Sequence, residues 1–166
     1  MTDIIIIGAM VLGIVGYVLY LKKKKDKTKE LYKTHSNSEV LVDKSGVTLL
    51  PSSGRYLTFE RIVQIYHAVE VCTELKATGL KILYASFKKR GLNPEGWALY
   101  MSSVTTIMIN TDKTLSRTAE DELLRHEMVH YLLSQNGMNE ESRAHESSYF
   151  GCGPGLSLHN GNVLSP

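Results

Sequence analysis

Three residues in this chain have types and spacing suited to chemistry. They are His126, Glu127 and His130, in the run Leu123-Leu124-Arg125-His126-Glu127-Met128-Val129-His130-Tyr131-Leu132-Leu133. On an α-helix, positions four apart share a face, so both imidazoles can hold one metal ion. Glu127, next to the first histidine, can bring a carboxylate to a water on that ion. Two neutral imidazoles, an open coordination position and a nearby general base are the parts of metal-assisted hydrolysis. So short a motif also arises by chance in unrelated helices. The elements around it therefore have to supply the rest of the argument.

The pattern predicts a helix over Ala119–Ser134. Thr118 followed by Asp121 has capping-box spacing, and Glu120, Asp121 and Glu122 give the first turn the negative charge that suits a helix N-terminus. Asn136-Gly137 is a C-terminal stop. Upstream, Thr58 can cap a helix from Phe59 to about Lys76, closed by Gly79. Its apolar residues Ile62, Val63, Tyr66, Val69 and Cys72 recur at helical steps. Lys81–Ser86, Trp97–Met101 and Val104–Asn110 read as strands, with Ser102-Ser103 as a tight connection between the last two. Asn139 can cap a short helix running through His145 towards Tyr149. Residues 151–166 are rich in Gly, Ser and Asn and read as irregular. The expected fold class is α+β, with a small mixed sheet packed on the helix that carries the histidines.

A tetrahedral catalytic site needs a third protein ligand. The turn at Gly137 returns the chain towards the motif, and the segment after it offers Glu140, Glu141, His145 and Glu146. Acidic residues in a first helical turn are often only dipole partners, which describes Glu140 and Glu141. No such reason accounts for His145, and imidazole is a common zinc ligand. His145 is therefore the preferred third ligand. Glu141 and Glu146 stand as alternatives, and His159 would need the tail to fold back. Tyr149 and His159 are candidates for stabilising a developing oxyanion, against plain readings as a structural tyrosine and a surface histidine.

The rest of the chain bears on where this chemistry would take place. Residues 4–21 form a run without charge, long enough to span a bilayer at the lower limit. Gly8, Gly13 and Gly16 are acceptable in a membrane helix, and Tyr17 and Tyr20 sit where interfacial aromatics belong. Lys22-Lys23-Lys24-Lys25 follows the run and no basic residue precedes it, which fits a permanent anchor rather than a cleaved signal peptide. By the positive-inside rule the C-terminal domain lies on the cytoplasmic side, or inside a virion membrane. The expected organisation is an anchor over 1–21, a basic and polar tether over 22–54 and a folded domain over 55–166. Within the tether, Glu39–Leu50 can add a strand or a hairpin around Ser45-Gly46. The formal net charge of +2 offers no global basic field for nucleic acid. Cys72 and Cys152, the only two cysteines, make neither a disulfide framework nor a metal knuckle, and Cys72 reads as core packing.

The motif HEMVH and the order helix, strands, motif helix, further helix resemble the zincin metallopeptidases over about residues 56–150. That resemblance implies zinc held by His126 and His130, with Glu127 as general base. It also implies a peptide or protein substrate lying along the strand before the motif helix, here Val104–Asn110, as an added edge strand. Gly137 followed by His145-Glu146-Ser147-Ser148-Tyr149-Phe150-Gly151-Cys152 looks like small peptidases whose third ligand is a histidine. The chain lacks the Gly and His spacing of metzincins and the Glu-x-x-x-Asp segment of the thermolysin-like group, which leaves the subfamily open. Two other functions share these residues. One is an amidase acting on the peptide cross-links of a cell wall. The other is a non-catalytic, membrane-anchored structural protein with a zincin-like fold, for which Glu127 would be superfluous.

Overall fold

The computed structural model describes residues 17, 19–23, 34–145 and 148–152, and the backbone of 158–159 and 162–163. The chain divides into two compact units, Met1–Lys33 and Thr34–Pro166. In the first unit the described residues Tyr17 and 19–23 are helical and exposed. Most of the run expected as the membrane anchor, residues 4–21, lies outside the described residues. Among the described residues no helix is long and apolar enough to cross a membrane.

The second unit is α+β. Its strands are β1 (His35–Asn37), β2 (Leu41–Val42), β3 (Thr48–Leu49), β4 (Ser52–Arg55), β5 (Lys81–Ala85), β6 (Ala98–Met101) and β7 (Thr106–Asn110). The main helices are α1 (Phe59–Thr73), α2 (Arg117–Gln135) and α3 (Asn139–Ala144). Residues 34–54, expected as tether, instead carry β1–β4 and belong to this unit. The hairpin expected around Ser45-Gly46 is β2–β3, whose turn is tied by Gly46 N–H to Asp43 C=O and by Asp43 N–H to Val47 C=O. Val47 and Leu49 are fully buried, which is why a segment so polar on average still enters the fold.

The mixed sheet has the order β2-β3-β5-β7-β6. β3, β5 and β7 run parallel, and β6 is antiparallel to β7. Alternation sends Ile82 and Tyr84 of β5 and Ile107 and Ile109 of β7 into one core with Ile62, Ile65, Tyr66 and Val69 of α1 and Leu124, Met128, Tyr131 and Leu132 of α2. The order corrects one expectation. Val104–Asn110 is not the edge: β7 is buried along its whole length and paired on both sides, and the outer strand is β6. The connection between them is a 3-10 turn, Ser102–Val104, followed by Thr105 in the left-handed region.

Helix boundaries shift for local reasons. Thr58 caps α1 as expected, but α1 ends at Thr73 with Glu74 left-handed, well before Gly79. Helix α2 starts earlier than predicted. Ser116, not Thr118, is its cap, accepting the Ala119 N–H. Glu120 is not a solvated dipole partner either. It is 1% exposed and accepts from Tyr56 N–H, Leu57 N–H and Tyr84 Oη–H. Asp121 pairs with Arg61 of α1 and Arg125 of its own helix. These two acids tie the start of α2 to α1 and to the sheet, so the orientation of the His-Glu-x-x-His face is set from several sides. Cys72 is exposed rather than core, and it forms a disulfide with Cys152 across a sequence separation of 80.

Candidate metal centre

Three elements build the site. Helix α2 presents His126 and His130 one turn apart, as the spacing predicts. The turn after α2 is closed by Gly137, at φ 78°, where a side chain would be strained. It leads into α3, whose N-cap is Met138 rather than Asn139 and which ends at Ala144. His145 therefore lies outside the helix, as its left-handed C-cap at φ 55°. Histidine is among the non-glycine residues that tolerate this region, and the conformation turns the chain away from the helical path. Its imidazole meets those of α2. Ring centroids of His126 and His145 are 5.2 Å apart, and those of His130 and His145 4.6 Å.

The ligand atoms of His126, His130 and His145 all lie within 4.8 Å of one another. The Nε2 atoms of His126 and His130 are 3.1 Å apart. Two imidazole nitrogens on one tetrahedral ion, with bonds of about 2.0–2.1 Å, stand roughly 3.3 Å apart, so this pair is already spaced for a shared ion. Partners on the far ring nitrogens fit the same use. His130 Nδ1 meets Ser142 Oγ at 2.9 Å, and His145 Nδ1 meets the Arg143 carbonyl oxygen at 3.1 Å. A protonated Nδ1 held this way leaves the Nε2 lone pair for a ligand. Burial also keeps the α2 rings neutral. It lowers the His126 pKa to about 4, helped by the electrostatic influence of the nearby His145 ring, and that of His130 to about 3, helped by the rings of His126 and His145. Neutral imidazole is the ligating form. Three imidazoles suit zinc, copper, iron or nickel, so the donor set admits a metal without naming it.

Glu127 is 8% exposed and lines the same cleft of about 340 Å³ as the three histidines. Burial raises its pKa to about 7, partly offset by the hydrogen bond it accepts from the Tyr100 N–H. A carboxylate in that range can both take and return a proton near neutral pH. That bond also joins the site to the sheet edge, because Tyr100 belongs to β6. The Asn110 N–H donates to Trp97 C=O, so Trp97 turns its backbone towards β7. Alternation then turns the backbone groups of Ala98 and Tyr100 to the outer side. Residues 97–100 line the cleft together with the histidines, Ser142 and Arg143.

The other expected site residues fall differently. Glu141 is exposed in the first turn of α3, and Glu140 pairs with Arg143; neither joins the histidine cluster. Glu146 lies outside the described residues. Tyr149 belongs to the 3-10 turn Ser148–Cys152, packs against the core and is not among the residues that line the cleft. His159 falls in a two-residue strand, Leu158–His159, and its side chain lies outside the described residues. Sequence reasoning missed Ser142 and Phe150. Phe150 places its ring 4.9–5.0 Å from all three imidazoles. Ser142 sits three positions before His145 and could have been noted as a partner for an adjacent ligand; nothing in the sequence marks Phe150. No protein-family model matches this chain, and searches of curated proteins and of solved structures returned no match.

Proposed function

We propose that the protein is a zinc-dependent peptidase. The observation that carries this reading is the convergence of His126, His130 and His145 in a cleft that also holds the Glu127 carboxyl. The three imidazoles would hold the ion. When bound, zinc would supply Lewis acidity, lowering the pKa of a water towards about 7 and polarising a carbonyl. Glu127 would accept the proton of the attacking water and deliver it to the departing amine. The zincin-like reading of the fold rests on the same residues and on an outer strand beside the motif helix.

Substrate binding would use β6. An extended peptide laid along its outer side would pair with the backbone groups of Ala98 and the Tyr100 carbonyl, bringing a peptide carbonyl over Glu127 and the histidines. That strand takes the role the sequence had assigned to Val104–Asn110. A second reading, an amidase of cell-wall peptide cross-links, is favoured by one observation: the Cys72–Cys152 disulfide belongs in an oxidising compartment. Such a compartment is on the far side of the membrane from the one the lysine run predicts.

The test is a cleavage screen of the zinc-loaded full chain, against a peptide library and against purified cell-wall cross-links, read by mass spectrometry. Glu127→Gln should keep zinc and lose cleavage. Full activity in Glu127→Gln would refute the mechanism. Cleavage of wall cross-links alone would select the second reading.

A further inference from the structure

The metal cluster has a wall that the hydrolytic reading does not use. Phe150 packs its ring on His126, His130 and His145 at 5.0, 4.9 and 5.0 Å. It is not among the residues that line the cleft. Phe150 sits in the 3-10 turn Ser148–Cys152, which packs on both α1 and α2. One covalent bond ties that turn to the body of the fold: Cys152, at its end, is bonded to Cys72 near the end of α1. His145, the ligand that α2 does not supply, stands just before this turn as the C-cap of the six-residue helix α3.

From this arrangement we propose that the Cys72–Cys152 disulfide is a redox latch on the metal site, with high metal affinity confined to the oxidised protein. The inference rests on the three-histidine metal reading. The bond holds Phe150 against the imidazoles, and Phe150 holds the His145 ring within reach of the α2 pair. A dithiol reductant opens the Sγ–Sγ bond. Two electrons and two protons enter Cys72 and Cys152 as thiols, and the reductant leaves as its own disulfide. Cys72 is exposed, so a reductant can reach the bond. The turn then loses its covalent tie to α1, and the hold of Phe150 on the His145 ring loosens. Loss of an outer support of this kind weakens metal binding by about 10–100-fold. The site is then complete only in a compartment that preserves disulfides.

The experiment measures the Zn2+ dissociation constant of the full chain by competition with a chromogenic chelator. It compares the oxidised protein, the protein reduced by a trialkylphosphine, and the reduced protein after reoxidation. A phosphine is used because it supplies the electrons while leaving as its oxide and adds no thiol ligand. Expected is a weakening of about 10–100-fold on reduction, restored by reoxidation. The double variant Cys72→Ser with Cys152→Ser should match the reduced protein and ignore phosphine. Phe150→Ala keeps the disulfide, so it should bind zinc weakly and show no redox dependence. Equal affinity in the oxidised and reduced states overturns the latch. Loss of the far-UV helical signal on reduction also overturns it, since the bond would then hold the whole domain rather than the site. A different result sinks the metal reading beneath it: oxidised parent and His126→Ala binding zinc equally.

Discussion

Removing the Glu120 carboxylate tests how the fold aims the histidine helix. The side chain is 1% exposed, with Oε2 accepting from Tyr56 N–H at 2.7 Å and Oε1 from Leu57 N–H at 3.1 Å and Tyr84 Oη–H at 2.7 Å. Glu120→Ala strands the Leu57 and Tyr84 donors in the interior, each at about 1–3 kcal/mol. It also takes an opposite charge from Arg55, which is 4% exposed. Relief of the carboxylate's own burial offsets part of this. The net loss should be about 3 kcal/mol, a large share of a typical domain's stability. Glu120→Gln keeps one acceptor oxygen but turns an amide N–H2 towards donors, and should lose about 1–2 kcal/mol. Urea unfolding followed by Trp97, the single tryptophan, reads both values. The pH dependence adds a second readout. Burial raises the Glu120 pKa above its ordinary 4.5 in the folded protein. A raised carboxyl favours folding most below the unfolded value, and that contribution is lost as pH rises through the folded value. Just above pH 4.5 the parent should therefore lose stability with rising pH more steeply than Glu120→Gln. A loss under about 1 kcal/mol for Glu120→Ala would refute the claim that this carboxylate anchors α2.

Other substitutions separate ligands from bystanders. His145→Ala should abolish tight zinc binding while Glu141→Ala leaves the dissociation constant unchanged; the reverse result, by chelator competition, would return the third position to the acidic residues. Ser142→Ala removes the partner of His130 Nδ1 and should weaken zinc by about 10-fold with little change in urea midpoint. Gly46→Ala should cost about 1–2 kcal/mol in urea unfolding, because φ is +82° and the added Cβ would stand 3.3 Å from Gly79 N.

The sequence by itself determined the local features of this protein. Helical spacing alone put His126 and His130 on one face, because a period of 3.6 residues makes positions four apart neighbours. The cap at Thr58, the stop at Asn136-Gly137 and the hairpin at Ser45-Gly46 depend on side chains reaching their own backbone or on glycine's conformational freedom, and these need no distant contact. Strand membership was legible too, in the β-branched run expected over Val104–Asn110, of which Thr106–Asn110 is strand. Position within the sheet was not: β7 is an inner strand and β6 the edge because of which strands share hydrogen bonds. The role of Glu120 was hidden for the same reason, since its partners Tyr56, Leu57 and Tyr84 lie 64, 63 and 36 positions away. A carboxylate in a first helical turn looks alike whether it faces water or three buried donors. Tertiary structure also decided which residue near Gly137 joins the α2 pair. The left-handed backbone at His145 turns its ring to the cluster, whereas Glu141 stays in a helical turn facing solvent. Cys72 and Cys152 meet across 80 positions only because α1 and the 3-10 turn pack together. Periodicity reports the neighbours a residue has along its own element; the chain's return from a distance is set by packing of the whole core, which no local pattern carries.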